Sequence, residues 1–293
     1  MSASNFRGTG VALVTPFLQS GAIDFASLGK LIDHVIDNGV NYLVSLGTTG
    51  ETPTLTAAEK LEVLQFTLTH TDGRLPVVAG IGGNNTAEVL ETFEKYPMDK
   101  LAGVLSVVPY YNKPSQEGIY QHYKAIATVS EKPIILYNVP GRTGVNMLPA
   151  TTLRLANDFS NIVAIKEASA NMAQCMELIN HKPAHFSVVS GDDDLTLAQI
   201  ACGFDGVISV AANSYTKDFT SMVNAALAGD FTTARSLHYK LLAGIGLLFA
   251  EGNPVGVKCA LSELGIGENA FRLPIVPASE VLHEKIKAFV STL

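Results

Sequence analysis

The chain has 293 residues, of which 47% are hydrophobic and only 16% are charged, and its formal net charge at pH 7 is −7. This composition is typical of a compact globular protein and argues against a disordered one, and the absence of Lys/Arg runs argues against a nucleic-acid surface. The three scattered cysteines form no disulfide framework, and no apolar stretch is long enough for a signal peptide or a membrane span. We therefore expect a cytoplasmic protein that binds neither nucleic acid nor membrane.

Eight short apolar runs recur along the chain and predict buried β-strands. They are rich in Val, Ile and Leu on both faces, which is typical of parallel strands that are covered on both sides. The predicted strands are residues 10–17, 41–47, 76–82, 103–109, 133–139, 162–168, 186–192 and 206–212.

Helical patterns lie between these strands. In residues 24–39 the apolar side chains form one stripe, Asp24 stands at the N-cap position, and Gly39 stands where a C-terminal glycine belongs. Residues 56–71 open with Thr56 and Glu59 at the spacing of a capping box. Further helices are predicted over 85–96, 115–130, 149–158, 171–181 and 193–202.

Eight strand–helix units with short connections favour the α/β class and, within it, a (β/α)8 TIM barrel. A doubly wound sheet is the alternative, although such sheets rarely carry eight evenly spaced units. The chain then continues through helical segments at 214–228, 231–250, 254–264 and 280–291. We therefore predict a catalytic barrel over residues 1–225 and a C-terminal helical domain over 226–293, which offers a surface for oligomer contacts.

Polar residues follow several of the predicted strands. These polar residues include an amine, two candidate tyrosines, two threonines and an arginine, which are expected around one mouth because the C-terminal ends of barrel strands form the active face. They are Gly47-Thr48-Thr49-Gly50-Glu51, Tyr110-Tyr111-Asn112, Tyr137-Asn138, Arg142, Lys166-Glu167 and Asp192–Asp194.

Lys166 ends the apolar run of the sixth predicted strand. Burial can lower the pKa of a lysine by as much as roughly 3–5 units, and a neutral amine attacks a ketone to form an imine. The protonated imine then stabilises a carbanion on the adjacent carbon, which is class I aldolase chemistry. The alternative is an ion pair with Glu167. Alternation along the strand points Glu167 away from Lys166, however, and leaves the role of Glu167 open.

Three further side chains have both a chemical and a structural interpretation. The phenol of Tyr137 can donate a proton and take it back, or the ring simply seals the barrel top. Thr48 can pass a proton between phenols, or its hydroxyl bonds to the backbone of its own turn. Arg142 can bind a carboxylate with two hydrogen bonds, or it is a surface arginine. The loop Gly47–Gly50 also offers backbone N–H groups that suit a carboxylate.

The aspartates Asp192–Asp194 suggest a metal site after the seventh strand. We expect instead that they solvate the loop and cap the next helix, because aspartate favours a helix N-terminus. The seven histidines show no H-x-x-x-H or H-E-x-x-H spacing. The sequence therefore predicts no catalytic metal.

Six motifs in order along the chain closely resemble one enzyme family. They are GTTGE at 47–51, PYYNKPSQEG at 109–118, YNVPGRTG at 137–144, IKEAS at 165–169, SGDD at 190–193 and GVISV at 206–210. The family is that of the dihydrodipicolinate synthases, also called 4-hydroxy-tetrahydrodipicolinate synthases. It belongs to the pyruvate-dependent aldolase superfamily together with N-acetylneuraminate lyase.

The resemblance implies a lyase that condenses pyruvate with L-aspartate 4-semialdehyde, the first committed step toward diaminopimelate and lysine. It implies that Lys166 forms the covalent imine with pyruvate, without a separate cofactor, and that Tyr137 moves protons to and from the bound pyruvate. Thr48 would link Tyr137 to Tyr111, which family members receive from the neighbouring subunit of a tight dimer. The implied assembly is a homotetramer, a dimer of dimers.

The resemblance also implies the substrate contacts. Thr49 and the amides of its loop match the pyruvate-carboxylate site, Arg142 matches the residue that binds the aldehyde's carboxylate, and Gly191 and Ile208 match backbone positions lining the site. An arginine at 142 favours the synthase over its alternative, an N-acetylneuraminate or 2-keto-3-deoxy sugar-acid lyase, because a buried anion needs a fixed cation. The rival from another class is a barrel that has lost catalysis and serves as a sensor or scaffold.

One departure concerns feedback by lysine. In inhibited members lysine binds near positions matching Thr52, Pro53, Ala57, Lys60, Asn84, Glu88 and Tyr110. This chain retains Asn84, Glu88 and Tyr110 as a possible allosteric lysine site, but it carries Ala57 and Lys60 where sensitive enzymes often have histidine or another accommodating residue. Since the Lys60 ammonium repels a cationic ligand, we predict weak or absent inhibition.

Overall fold

The computed structural model describes residues 6–293, and its centre is a closed barrel of eight parallel strands in sequence order. The strands are β1 Gly8–Ala12, β2 Tyr42–Ser45, β3 Val77–Gly80, β4 Gly103–Val107, β5 Ile134–Asn138, β6 Ile162–Glu167, β7 Ser187–Ser190 and β8 Gly206–Ser209. Strand β1 pairs with β8, which closes the barrel. The predicted (β/α)8 fold is confirmed, and the doubly wound alternative is wrong because the first and last strands are neighbours. Residues 1–5, which the sequence assigns to the barrel domain, lie outside the described residues.

Helices connect the strands on the outside of the barrel. They are α1 Phe25–Asp37, α2 Ala57–Thr71, α3 Thr86–Lys95, α4 Gln116–Val129, α5 Pro140–Thr143, α6 Pro149–Asp158, α7 Met172–His181, α8 Thr196–Ala201, α9 Thr216–Leu227, α10 Phe231–Phe249, α11 Val255–Glu263 and α12 Glu280–Val290. Every predicted helix is present, and the short α5 was not foreseen. The predicted cap signals are also confirmed: Asp24 accepts from Ser27 N at 3.0 Å, and Thr56 and Glu59 form the capping box.

The first predicted strand differs most from the structure. It was expected over residues 10–17, whereas β1 covers Gly8–Ala12. The N–H of Val14 donates to Asn213 Oδ1 at 3.3 Å instead of to a neighbouring strand, and Pro16 has no backbone N–H, so the ladder ends before the apolar run does. The apolar residues after Ala12 are nevertheless buried, and they pack outside the strand.

The strands are buried on both faces. A small inner cluster fills the barrel, with Tyr42, Val78, Ile135 and Ile208 among its members, and a much larger outer cluster joins the strands to the helices. This two-sided burial explains why the strands read as continuous apolar runs.

Helices α10, α11 and α12 pack on one another, and α10 also packs against α9. The predicted domain division between residues 225 and 226 falls within α9 and stays a prediction. Within residues 6–293 no helix is long and apolar enough to cross a membrane.

Closure of the barrel depends on a glycine at position 206. Gly206 has a φ of +154° and faces Gly8 in the β1–β8 ladder, where an added Cβ would overlap the Gly8 carbonyl oxygen. We expect Gly206→Ala to lower the melting temperature by roughly 5 °C, since overpacking a core costs about 1–3 kcal/mol. The matched control is Gly246→Ala in α10, where nothing lies within 4 Å of the added Cβ and the change should stabilise the helix. Equal melting shifts in the two variants would contradict this account.

Candidate active site

The C-terminal ends of β5 and β6 bring Tyr137 and Lys166 face to face. The two residues are partners in the ladder, and Lys166 Nζ lies 4.6 Å from the centroid of the Tyr137 ring. Both side chains are almost fully enclosed, at 5% exposure for Lys166 and 6% for Tyr137. An amine and a phenol therefore share one dry position at the mouth of the barrel.

A bulge in β6 sets the direction of Lys166. Ile134 pairs with Ile162 but the next residue, Ile135, pairs with Ala164, so Val163 is an extra residue in β6. Without it, Lys166 would stand opposite Asn138 and would point out of the barrel, because successive side chains alternate between faces. The bulge therefore turns Lys166 inward and Glu167 outward.

Lys166 forms no ion pair with any carboxylate among residues 6–293, so the pair with Glu167 that the sequence left open is not formed. Gly191 permits the close packing around the lysine stem, since a Cβ there would lie 2.9 Å from Lys166 Cε. Gly191 thus lies beside the lysine stem, and its predicted role in lining the site stays a prediction. Ile208, also predicted to line the site, is fully buried in the inner cluster that contains Tyr137.

The aspartates after β7 are not arranged as the sequence suggested. The expectation that Asp192–Asp194 solvate the loop and cap the next helix is wrong for Asp193, which is 1% exposed and accepts from the backbone N–H groups of Val210 and Ala211 at 3.0 and 2.8 Å. The N-cap of α8 is Leu195, which cannot cap with its side chain. A buried carboxylate instead joins the end of β7 to the residues that follow β8.

Two carboxyl groups near Lys166 have raised pKa values. Burial raises the pKa of Asp192 to about 6, against the opposing effects of the Ala170 N–H and the Lys166 charge. Burial also raises the pKa of Asp193, and Lys166 opposes this rise too. Two buried carboxyl groups therefore lie on the β7 side of the lysine without an ion pair to it.

A cleft of about 300 Å³ opens beside Tyr137 and contains Thr48 and Arg142 in its wall. Arg142 lies in the single turn of α5, directly after β5, and its Nη2 donates to the Asn253 carbonyl oxygen at 3.4 Å. Asn253 Nδ2 in turn donates to Thr49 Oγ1 at 3.0 Å. The predicted phenol, hydroxyl and guanidinium groups therefore share one cleft, and a residue from the C-terminal segment contacts two of the predicted binding residues.

A buried ion pair holds the loop that carries Thr48 and Thr49. Lys258 Nζ lies 2.6 Å from Glu51 Oε1, and the side chains are 2% and 0% exposed. Nζ also donates to the Thr15 carbonyl oxygen at 3.1 Å and lies over the ring of Phe17. Burial lowers the pKa of Lys258 to about 8, although Glu51 opposes this shift. The pair joins α11 to Glu51, the first residue after the turn Thr48–Gly50.

Arg272 makes a second connection between the C-terminal segment and the same region. Its guanidinium binds both carboxylate oxygens of Glu59 and donates to the Thr54 carbonyl oxygen. This pairing lowers the pKa of Glu59 to about 2. The connection between β2 and α2 is therefore held by the C-terminal segment at Glu51 and again at Thr54 and at Glu59 in α2.

Tyr111 does not reach the cleft within one chain. It is 87% exposed, in a loop where its own N–H donates to the Thr143 carbonyl oxygen at 3.3 Å. Tyr110 lines the cleft, as do Lys60, Thr52 and Pro53. Asn84 accepts from Asn112 through its carbonyl oxygen, and Glu88 accepts from Asn85 in the first turn of α3. The roles predicted for these residues stay predictions.

Sequence reasoning missed the residues that support the site from behind. These are Asn253, Lys258 and Arg272 in the C-terminal segment, and Asn138, Asn146 and Gln174 behind β5 and β6. One signal was visible: Lys258 stands alone within the apolar run from Val255 to Leu261. Charged residues are seldom fully buried unless they are paired, so this lysine predicted a partner.

Comparison with known proteins agrees with this arrangement. Residues 5–293 match the family model described as the dihydrodipicolinate synthetase family. The chain belongs to this family. It is 50% identical to the 4-hydroxy-tetrahydrodipicolinate synthase of Parabacteroides distasonis over 293 residues, covering 100% of this chain and 99% of that protein. It is also 50% identical to the enzyme of the same name from Flavobacterium psychrophilum, with 98% of each chain covered.

Solved structures of the family share the fold. The dihydrodipicolinate synthase of Aquifex aeolicus superposes with a TM-score of 0.95 at 43% identity, and 98% of each chain is covered. The family and the lyase class predicted from the six motifs are thus confirmed. Among residues 6–293 no group of three or more His, Cys, Asp or Glu side chains is placed to hold a metal ion, and the prediction of no catalytic metal stays a prediction.

The buried pair should matter far more for stability than an exposed pair of the same length. Glu51→Gln leaves Lys258 as a buried charge without its counter-ion, so we expect a loss of about 3–5 kcal/mol in the free energy of unfolding. The double variant Glu51→Leu/Lys258→Met should regain much of this loss, because neither charge remains. Urea unfolding measures both changes.

The matched control is the pair Lys240–Asp218, which has the same 2.6 Å separation but is 42% and 27% exposed. Lys240→Met should change stability by less than about 1 kcal/mol. If Glu51→Gln costs no more than Lys240→Met, the buried pair does not hold the loop.

Proposed function

We propose that the chain catalyses the Schiff-base-dependent condensation of pyruvate with L-aspartate 4-semialdehyde to 4-hydroxy-tetrahydrodipicolinate. The observation that carries this proposal is the buried Lys166 amine, which has no ion pair within residues 6–293 and lies over the ring of Tyr137. The names of relatives that are 50% identical over nearly the whole chain support the same reaction.

The reaction begins when the neutral Lys166 amine attacks the ketone carbon of pyruvate. Loss of water gives a protonated imine, and removal of a proton from the pyruvate methyl group then gives an enamine. The enamine carbon attacks the aldehyde carbon, and the aldehyde oxygen takes a proton. The amino group of the second substrate next attacks the imine carbon, which closes the ring and expels Lys166. The sum is one product and one water.

Tyr137 is proposed as the group that moves protons, because its ring lies against the lysine amine. Thr48 lines the same cleft and is proposed as its relay partner. We propose that Tyr111 completes the relay in a neighbouring subunit: a tyrosine exposed at 87% cannot act on its own chain's cleft from the position described. This role requires the proposed homodimer, and two such dimers form the proposed tetramer.

Two sites for carboxylates are proposed on either side of the amine. Thr49 and its loop amides bind the pyruvate carboxylate, and Asn253 orients the Thr49 hydroxyl. Arg142 binds the carboxylate of aspartate 4-semialdehyde at the rim of the cleft. This second anion site favours the synthase over a sugar-acid lyase.

The proposal also covers the cofactor, the domain division and the location of the protein. The covalent imine on Lys166 serves as the only activating group, so no metal or separate cofactor is needed. We propose residues 1–225 as the catalytic barrel and 226–293 as the helical domain. The protein is proposed to act in the cytoplasm without nucleic-acid or membrane partners.

Trapping the imine tests the mechanism. Borohydride reduction in the presence of pyruvate should inactivate the enzyme and leave a reduced adduct on the peptide that contains residue 166, as mass spectrometry will show. Tyr137→Phe should still form this adduct but should lose most of the condensation rate. An adduct on a different lysine, or none, would refute the mechanism. Cleavage of N-acetylneuraminate at a rate comparable with condensation would favour the lyase instead.

Lysine should inhibit this enzyme weakly. Lys60 lies in the wall of the cleft together with Tyr110, so its ammonium repels a cationic ligand there. We expect an inhibition constant for lysine above about 1 mM, the range of very weak binding. The variant Lys60→His should bind lysine more tightly at pH 8, where histidine is neutral. Unchanged inhibition in that variant would show that Lys60 is not the cause.

A further inference from the structure

Glu167 is a fully buried carboxylate that the proposed reaction does not use. It is 0% exposed, and every polar group that contacts it donates a hydrogen bond. Asn138 Nδ2 lies 3.2 and 3.1 Å from its two oxygens, Ser169 N lies 2.8 Å away, and Gln174 Nε2 lies 3.2 Å away. Burial raises the pKa of Glu167, and these donors oppose the rise. The position thus requires an acceptor on both oxygens.

The surrounding amides cannot turn to suit a different side chain. Asn138 Oδ1 accepts from Met147 N at 3.0 Å, which fixes its amide nitrogen toward Glu167. Gln174 Oε1 accepts from Asn146 Nδ2 at 2.8 Å, which fixes the Gln174 amide in the same sense. Asn138 Nδ2 also donates to Asn146 Oδ1 at 2.8 Å. The network therefore has one consistent direction, and the carboxylate is its terminal acceptor.

This network lies directly behind the two reacting side chains. In the β5–β6 ladder the pair Tyr137–Lys166 is followed by the pair Asn138–Glu167, which ends the strand. The first pair faces the barrel mouth and the second faces the helices. The bulge at Val163 already shifts the register by one residue. A further slip of one residue at this end would turn Lys166 toward the helices and Glu167 toward the barrel mouth.

We propose that Glu167 is a positioning residue, which locks the register of the last two residue pairs of β5 and β6 through Asn138 and so keeps the Lys166 amine against Tyr137. The carboxylate also accepts from Ser169 N, which fixes the first turn of the loop after β6. The helix α7 contributes through Gln174, so one carboxylate joins two strands, a loop and a helix. This inference rests on the function proposed for Lys166 and Tyr137.

The test replaces the acceptor by a donor of the same shape. Glu167→Gln turns one carboxylate oxygen into an amide group that faces the donors of Asn138 and Gln174. We expect kcat for condensation to fall at least ten-fold, and the rate of borohydride trapping of pyruvate on Lys166 to fall in parallel. A role in folding alone would lower the melting temperature without lowering the rate per folded molecule.

Asn161→Ala, directly before the same strand, is the matched control. Asn161 precedes β6 at the opposite end of the barrel, where its amide donates to the carbonyl oxygens of Ala127 and Ser130 at 2.8 and 2.9 Å. Its removal breaks partly buried hydrogen bonds between the start of β6 and the end of α4, but it leaves the mouth intact. We expect a lower melting temperature and a kcat within two-fold of the original enzyme.

A swap of the two side chains tests the direction of the network. In Glu167→Gln/Gln174→Glu the new carboxylate accepts from the amide at 167 and from Asn146 Nδ2, so these two contacts again pair a donor with an acceptor. The 3.2 Å contact between position 174 and Asn146 Oδ1 loses its donor. We expect the swap to restore kcat to within three-fold of the original. If Glu167→Gln does not fold, Gln174→Met, which removes one donor to Glu167, should lower kcat at least three-fold.

The results separate this inference from the proposed function. If the original enzyme traps pyruvate on Lys166 but Glu167→Gln keeps kcat within two-fold, the positioning role is overturned and the function stands. The role is also overturned if Asn161→Ala loses as much rate as Glu167→Gln, or if a folded swap shows no recovery. If the original enzyme traps no pyruvate, the proposed function itself fails.

Discussion

The register between β5 and β6 is the constraint on which the candidate site depends. A strand alternates its side chains, so a shift of one residue exchanges what faces the barrel mouth with what faces the helices. The extra residue Val163 makes this exchange once, and the consequence is that Lys166 points inward. The same shift places Glu167 among amide donors on the outside. One irregularity in the ladder therefore decides the direction of both the reacting side chain, Lys166, and the supporting side chain, Glu167.

The C-terminal segment contributes the second half of the arrangement. Burying an isolated ion is costly, and the Lys258–Glu51 pair offsets this cost by a short contact, a backbone acceptor and two aromatic rings, with Nζ 4.3 Å from the centroid of Phe17 and 4.5 Å from that of Phe271. Such a pair is directional, so it fixes the position of the loop that carries Thr48 and Thr49, whereas a purely apolar contact would allow several positions. Asn253 adds contacts to Thr49 and Arg142. The helices beyond the barrel thus determine the shape of the barrel's own loop.

Much of the fold followed from local patterns in the sequence. The apolar runs and cap residues predicted every strand and all helices but α5, because burial on two faces and helix capping depend on neighbouring residues. The position of Lys166 at a strand end was visible for the same reason. The bulge at Val163 was not visible, since it depends on pairing with β5 across the intervening helices. The burial of Asp193 was missed because its partners, the N–H groups of Val210 and Ala211, come from another strand end.

The long sequence separation of the loop contacts has a consequence for how the protein is made. Glu51 and Lys258 are 207 residues apart, Glu59 and Arg272 are 213 apart, and Thr49 and Asn253 are 204 apart. Synthesis proceeds from the N-terminus, and the earlier parts of a chain begin to fold first. Thr15, which donates to the Gly50 carbonyl oxygen, is made early. All eight strands nevertheless leave the ribosome before Asn253, Lys258 and Arg272. A nascent chain that has completed its barrel still lacks these three contacts to residues 49–59, which Asn253, Lys258 and Arg272 supply.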